Sequence, residues 1–123
     1  MPSLVVVSGP NEGAYYPMGQ RTVVIGRDES CPIQIVDDLV SRKHVQIRFD
    51  ASSNDYIATD MKSANGLLVN GRRIEGEITL VDGDAIEIGK SRINYYTGDF
   101  ADRDSAWAHY KQRGQKFKNT LES

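Results

Sequence analysis

Three short segments of this 123-residue chain concentrate side chains that can bind or transform a ligand. They are Gly26-Arg27, Ser41–His44 and Ser63–Gly66, and each adjoins an apolar run that predicts a β-strand. Guanidinium, hydroxyl, imidazole and amide groups at strand ends can bind an anion, hold a peptide main chain or form a hydrolytic site. Each segment alone is most simply a solvated turn, so only their order and spacing together can indicate a function.

A hydrolytic site is the first alternative, because Ser41 and His44 are close in sequence and acids such as Asp37 and Asp60 are plentiful. However, the chain has no Gly-x-Ser-x-Gly motif, and a serine nucleophile needs a base that a third group orients. Metal binding is also disfavoured, since His44 and His109 are far apart and no Cys or His stands at ligand spacing. We therefore expect no catalytic residue, no metal and no cofactor.

The elements that must position these segments are short strands. Apolar or alternating runs recur about every 8–12 residues with turn residues between them, which is typical of a β-sandwich. Val45, Ile47 and Phe49 alternate with polar residues, so this run buries one face. The sequence predicts an all-β fold, a twisted antiparallel β-sandwich of about eleven strands.

Two turn motifs are specific enough to predict hairpins. Asn70-Gly71 stands between Leu67–Val69 and Arg72–Ile74, and Asn-Gly is the strongest short hairpin signal. Asp82–Asp84 stands between two further apolar runs and predicts a hairpin in the same way.

The composition changes near the C-terminus, so we divide the chain into a domain at residues 1–98 and a tail at residues 99–123. In the tail, Trp107, Tyr110, Phe117 and Leu121 fall at spacings compatible with one helical face. The tail is expected to be helical or partly ordered, with its aromatic residues packed back on the sandwich. The alternative is a helix that contacts a partner through Trp107, Tyr110 and Phe117.

Charge and cysteine content limit the partners and the compartment. A formal charge of −2 disfavours a domain that binds the phosphate backbone of nucleic acids. No stretch approaches the roughly 20 apolar residues that a membrane span needs, and no leader is evident. Cys31 is the only cysteine, which fits a reducing compartment. We expect a cytoplasmic protein that binds neither membranes nor nucleic acids.

Taken together, the three segments resemble the forkhead-associated (FHA) family. That family has a Gly-Arg, then Ser-x-x-His about fifteen residues later, then Asn-Gly some twenty residues after that. The stretches DMKSANGLLVNG at residues 60–71 and VDGDAIEIG at residues 81–89 also resemble family segments. The resemblance covers roughly residues 4–96 and implies an FHA/SMAD-like fold. It also implies a non-catalytic module that binds phosphothreonine peptides in kinase-linked signalling.

The resemblance implies a set of phosphate ligands. Arg27 would be the principal one, because a guanidinium offers paired donors and a charge that does not titrate. Ser41 would donate its hydroxyl to another phosphate oxygen, and Arg42 would add a second cation at the rim. Ser63 would replace a hydroxyl that the family commonly has at the position of Ala64.

The resemblance also implies roles for the remaining residues. Asn65, and further along Asn70, would bind the main chain of the ligand, since an amide supplies a donor and an acceptor. Gly26, His44 and Gly66 would support the site structurally, with His44 bracing the binding loop. The partner would be a phosphothreonine-containing protein, either a Ser/Thr kinase or its substrate.

Two positions depart from the family pattern. Ala64 lacks the common hydroxyl, and Leu67 stands where a small polar residue is common. Both departures are expected to affect affinity rather than the class of ligand. They also leave open an FHA-like scaffold that binds a folded partner without phosphate, through a sheet face or the C-terminal helix.

Overall fold

Two β-sheets face each other in the computed structural model, which describes the backbone of residues 1–122 and the side chains of residues 1–113. This part of the chain contains eleven strands and one helix. The strands are β1 (Ser3–Ser8), β2 (Tyr15–Pro17), β3 (Val23–Gly26), β4 (Ile33–Gln34), β5 (Val45–Asp50), β6 (Asp55–Asp60), β7 (Leu67–Val69), β8 (Arg72–Ile74), β9 (Glu77–Thr79), β10 (Ala85–Ile88) and β11 (Ser91–Tyr96). The helix is α1 (Arg103–Glu122). The predicted β-sandwich with a C-terminal helix is confirmed.

The first sheet has the strand order β2-β1-β11-β10-β7-β8, and the second has the order β4-β3-β5-β6-β9. Neighbouring strands are antiparallel except for the short β3–β4 pair. Alternation along β5 shows how the sequence specifies the core. Val45 and Ile47 are fully buried, whereas Gln46 and Arg48 point to the wetter face.

One of the two predicted hairpins is confirmed and the other is wrong. Asn70 and Gly71 have φ angles of 55° and 79° and join β7 to β8, as a tight turn requires. Asp82–Asp84 instead connects two sheets, because β9 pairs with β6 whereas β10 pairs with β7 and β11. Turn residues specify where the chain reverses, but the partner of the next strand is set by long-range packing.

Helix α1 lies on the outer face of the first sheet. Ala106 is fully buried against Val5 and Tyr96, and Trp107 and Tyr110 pack partly buried around them. The predicted inward face of the tail is therefore present for Trp107 and Tyr110. The side chains of Phe117 and Leu121 lie outside the described residues. No helix in the described part of the chain is both long enough and apolar enough to cross a membrane.

The topology brings the three candidate segments to one edge of the second sheet. Strand β5 runs antiparallel to both β3 and β6. The end of β3 at Gly26, the start of β5 at Val45 and the end of β6 at Asp60 therefore meet at the same edge. The segments that follow β3, precede β5 and follow β6 are the three that the sequence singled out.

Candidate functional site

Gly26 ends β3 where another segment passes very close to its backbone. A Cβ atom at this position would lie 2.8 Å from the carbonyl carbon of Arg42 and would collide with its oxygen. That oxygen also accepts hydrogen bonds from the Asp28 N–H and the Cys31 thiol, both at 3.2 Å. Gly26 is thus required for the close approach of the β4–β5 loop, and its φ is not in the left-handed region.

Arg27 projects from the end of β3 with part of its guanidinium already engaged. Its Nε donates to the carbonyl oxygen of Val40 at 3.0 Å, and its backbone N–H donates to that of Ser41 at 3.0 Å. The two terminal nitrogens have no hydrogen-bond partner among the described residues, and the side chain is exposed. The arrangement fixes the base of the guanidinium and leaves its paired donors available to an anion.

Ser41 adjoins Arg27 and retains a donor for a ligand. Its Oγ accepts a hydrogen bond from the Ala64 N–H at 2.9 Å. The hydroxyl proton has no acceptor among the described side chains, so it can be donated outward. Because Ala64 contributes its backbone amide to this contact, its missing hydroxyl does not prevent the two loops from meeting.

His44 joins two of the three segments from a fully buried position. Its Nδ1 accepts from the Ser41 N–H at 3.0 Å, and its Nε2 lies 2.7 Å from the Gly66 carbonyl oxygen. This requires the neutral tautomer that is protonated at Nε2. The imidazole therefore contacts the backbone of Ser41 rather than its hydroxyl, which is not the geometry of a serine nucleophile with its base.

Asn65 and Ser63 of the β6–β7 loop differ in how many of their polar atoms already have hydrogen-bond partners. Asn65 is exposed, and its Nδ2 donates to the Leu39 carbonyl oxygen at 2.9 Å, so its Oδ1 and its second N–H remain available. Ser63 is fully engaged: its Oγ donates to Asp60 at 2.5 Å and accepts from the Gly66 N–H at 3.0 Å. Ser63 therefore braces the loop, and in this arrangement its hydroxyl proton is not available for the predicted contact with a phosphate.

Asn70, which was predicted to bind a peptide main chain, makes hydrogen bonds within the chain. Its Nδ2 donates to Asp84 at 2.8 Å, and its Oδ1 accepts from the Ala85 N–H at 2.9 Å. Asn70 follows the far end of β7 from Asn65, so the topology does not bring it to the other segments. The Oδ1 and one N–H of Asn70 thus hold the β7–β8 turn against β10, whereas in Asn65 the Oδ1 has no partner among the described residues.

Leu67, which departs from the family pattern, is a core residue. It is fully buried and belongs to the cluster between the two sheets. Its side chain therefore points away from the loop edge. The departure concerns packing, so an effect on ligand contacts is not expected from it.

Asp37 is a supporting residue that the sequence did not identify in this role. Its carboxylate accepts from the N–H groups of Leu39 and Lys90 and from the Ser91 hydroxyl, all at 2.8–2.9 Å. Burial alone would raise the pKa of Asp37, but these hydrogen bonds outweigh it and hold that pKa below its ordinary 3.8. Asp37 thus ties the β4–β5 loop to the β10–β11 turn. The only local sequence signal for this role is that an Asp side chain can accept a hydrogen bond from the backbone N–H two residues later, here that of Leu39.

The edge carries an open cleft of roughly 440 Å³ with mixed charge. It is lined by Arg27, Asp28, Glu29, Gln34 and Arg42. The two arginines have no salt-bridge partner among the described side chains. The cleft is therefore open to solvent, and its two arginines are available to bind an anion.

The chain thus combines a two-sheet β-sandwich with an open loop edge at which arginine side chains are available to an anion. These features are typical of small modules that recognise a charged group on another molecule. The family model for the FHA domain matches residues 23–89, slightly more than half of the chain. The chain belongs to the FHA domain family.

The relatives and solved structures agree with this assignment. The chain is 34% identical over 99 residues to the glycogen accumulation regulator GarA of Mycolicibacterium smegmatis, covering 80% of this chain and 61% of that protein. It is 37% identical over 95 residues to the oxoglutarate dehydrogenase inhibitor of Corynebacterium jeikeium, covering 77% and 64%. The chain thus spans about three fifths of the length of the curated relatives that it matches.

Two solved structures are similar over most of this chain. One is an FHA domain from a study of phosphothreonine-dependent interactions, with 30% identity, a TM-score of 0.71, and 80% of this chain and 98% of that one covered. The other is Mycobacterium tuberculosis EmbR in complex with a low-affinity phosphopeptide. It has 28% identity and a TM-score of 0.71, with 82% of this chain and 25% of that one covered.

Proposed function

We propose that this chain is a phosphothreonine-dependent peptide-binding module in kinase-linked signalling and that it has no catalytic activity. The observation that carries the proposal is the state of the Arg27 guanidinium. Its Nε is fixed on Val40, its two terminal nitrogens have no hydrogen-bond partner among the described residues, and its side chain lines the open cleft. A guanidinium held in this way presents a planar pair of donors that fits two oxygens of a phosphate.

Ser41 and Arg42 complete the phosphate site in this proposal. The Ser41 hydroxyl has a free proton because its oxygen is oriented by the Ala64 N–H. Arg42 lines the same cleft as Arg27 and adds a second positive charge. A dianionic phosphate with three terminal oxygens needs about that number of donors.

Asn65 binds the main chain of the ligand in this proposal. Its free Oδ1 and second N–H match the donor and acceptor of one peptide unit, while the contact to Leu39 holds the side chain in place. Asn70 and Ser63 are not part of the proposed ligand set, because their polar atoms are engaged within the chain.

The relatives support a regulatory role for the whole protein. GarA and the oxoglutarate dehydrogenase inhibitor are named as a regulator and an inhibitor, and the EmbR structure contains a phosphopeptide. We infer by analogy that the partner is a phosphothreonine-containing protein, either a Ser/Thr kinase or its substrate. A ligand made by a kinase, together with a single unpaired Cys31, fits the cytoplasm.

The proposal is tested with matched peptides that differ only at one residue, carrying phosphothreonine, phosphoserine or threonine. Binding is measured by calorimetry with the wild type and with Arg27→Ala and Arg27→Lys. We expect binding only with phosphorylated peptides, with phosphothreonine preferred up to about tenfold if its methyl is buried. Arg27→Ala should abolish binding, and Arg27→Lys should restore little of it, because an ammonium lacks the planar pair of donors.

Arg21→Ala is the matched control, since Arg21 is an exposed arginine outside the three segments. It should bind like the wild type. Equal binding of phosphorylated and unphosphorylated peptides would refute the proposal and favour the phosphate-independent scaffold. That alternative has less support from α1, because Trp107 and Tyr110 already pack against the sheet.

A further inference from the structure

Arg73 is an exposed arginine that lies against the proposed peptide-binding loop. It belongs to β8, where it pairs with Leu68 of β7. A Cβ atom on Gly66 would lie 3.1 Å from the Arg73 Cζ and 3.2 Å from each of its two Nη atoms. The Cζ and both Nη atoms thus lie at nearly the same distance from the Cβ position of Gly66, so the guanidinium covers this glycine.

Gly66 connects Arg73 directly to the site. It follows Asn65, its carbonyl oxygen accepts from His44, and it is buried although its loop is at the surface. Its φ of +85° and the covering guanidinium both disfavour any side chain at this position. The charge of Arg73 is therefore held beside the residue that is proposed to bind the peptide main chain.

Arg73 has no carboxylate partner among the described side chains, whereas four other arginines do. The arginines that form salt bridges lie elsewhere: Arg48 with Glu77, Arg92 with Glu87, Arg103 with Asp104 and Arg113 with Asp82. Arg73 is one of the arginines without a salt bridge among the described side chains, together with Arg21, Arg27, Arg42 and Arg72, and its guanidinium packs against Gly66 of the β6–β7 loop. A guanidinium positioned by packing and unpaired in the free protein has its donors available for a ligand.

We propose that Arg73 is a specificity-determining residue that binds a carboxylate side chain of the peptide near the phosphothreonine. The inference rests on the proposed function and adds the chemical class of a flanking residue. Acidic side chains are favoured at the Arg73 side of Asn65. At the Arg27 side, Asp28 and Glu29 line the cleft and oppose them.

The test uses a phosphothreonine peptide with otherwise neutral residues, in which Glu or Gln is placed in turn at each of four positions on either side. At one or two adjacent positions the wild type should bind the Glu peptide about fivefold more tightly than the Gln peptide, as an exposed ion pair allows. Arg73→Gln should remove this preference, and Arg73→Glu should reverse it in favour of a Lys peptide.

Arg72→Gln is the matched control, because its side chain leaves the opposite face of the same strand. Lys62→Gln is measured in parallel, since Lys62 is an exposed cation within the β6–β7 loop itself. Both should keep the Glu preference. The inference is overturned if the wild type shows no Glu preference, or if Arg73→Gln retains it, or if Lys62→Gln removes it.

Binding of the neutral phosphothreonine peptide separates this outcome from failure of the proposed function. If that peptide binds in a phosphate-dependent way without any Glu preference, only the role of Arg73 is refuted. If wild type does not distinguish the phosphorylated from the unphosphorylated neutral peptide, the proposed function fails and the role of Arg73 with it.

Discussion

His44 is the residue on which the geometry of the binding edge depends most directly. It is fully buried, and each of its ring nitrogens contacts the backbone of a different segment. Replacing it by alanine leaves the Ser41 N–H and the Gly66 carbonyl without these partners. The two segments then have fewer contacts that hold them together, so stability and binding should fall together.

The size of the effect follows from the two lost hydrogen bonds. A buried polar group left without its partner costs about 1–3 kcal/mol. The hydrogen bond between His44 and the Gly66 carbonyl is buried, so its loss leaves the carbonyl without a partner. The Ser41 N–H is only partly buried and can form a hydrogen bond with water instead. We expect His44→Ala to lower the free energy of unfolding by about 3 kcal/mol, a large share of the 5–15 kcal/mol of a typical domain.

The two hydrogen bonds can be separated by amide substitutions. His44→Asn places an acceptor near the position of Nδ1 and can keep the Ser41 contact, whereas His44→Gln places a donor near Nε2 and can keep the Gly66 contact. His44→Asn should retain the ratio of phosphorylated to unphosphorylated peptide affinity while weakening overall binding. His44→Gln should lower that ratio, because it releases the segment that carries the Ser41 hydroxyl.

Urea unfolding gives the stability and calorimetry gives the affinity of the same variants. Lys43→Ala is the control for stability, because the Lys43 side chain is exposed next to His44. Its removal should change the free energy of unfolding by less than about 0.5 kcal/mol. A His44→Ala protein as stable as this control would refute the reasoning. Equal peptide selectivity in the Asn and Gln variants would refute the assignment of the two contacts.

Three further predictions concern residues that support the loop edge, the last of them compared with the proposed ligand Ser41. Gly26→Ala should destabilise the fold by at least about 2 kcal/mol in thermal unfolding, because its Cβ would collide with the backbone of Arg42. The lowered pKa of Asp37 adds stability at neutral pH that is lost as pH falls through that pKa, so Asp37→Asn should flatten the stability profile between about pH 5 and pH 2. In urea unfolding, Ser63→Ala should lower the free energy of unfolding by about 1 kcal/mol, and it should leave the preference for phosphorylated peptide intact. Ser41→Ala should weaken phosphopeptide binding, measured by calorimetry, by at least about fivefold. The reverse pattern would contradict the proposed site.

The strands and most of their boundaries could be predicted because local patterns determine them. Val45 and Ile47 alternate with polar residues, and Asn70-Gly71 has the backbone angles of a tight turn. The sheet partner of β10 could not be predicted, since Asp82–Asp84 has the same turn chemistry whether the next strand stays in its sheet or crosses to the other. That choice is made by packing across the whole sandwich.

The site residues divide in a similar way. Arg27, Ser41 and Asn65 keep free donors or acceptors at one edge, as the family resemblance implied. Ser63 and Asn70 have the same side-chain chemistry, but their polar atoms are used within the chain. Sequence gives the types of polar groups, whereas their availability depends on contacts with residues that are distant along the chain.

Two side chains of the proposed site are anchored on backbone carbonyls. Arg27 contacts the carbonyl of Val40 and Asn65 contacts that of Leu39. The Leu39 side chain is 42% exposed and makes neither contact. Because any residue offers the same carbonyl, position 39 can change its side chain without releasing Asn65. The orientation of Arg27 and Asn65 thus does not depend on the exposed side chain at position 39, so in the proposed function this side chain is free to differ between relatives that bind different peptides.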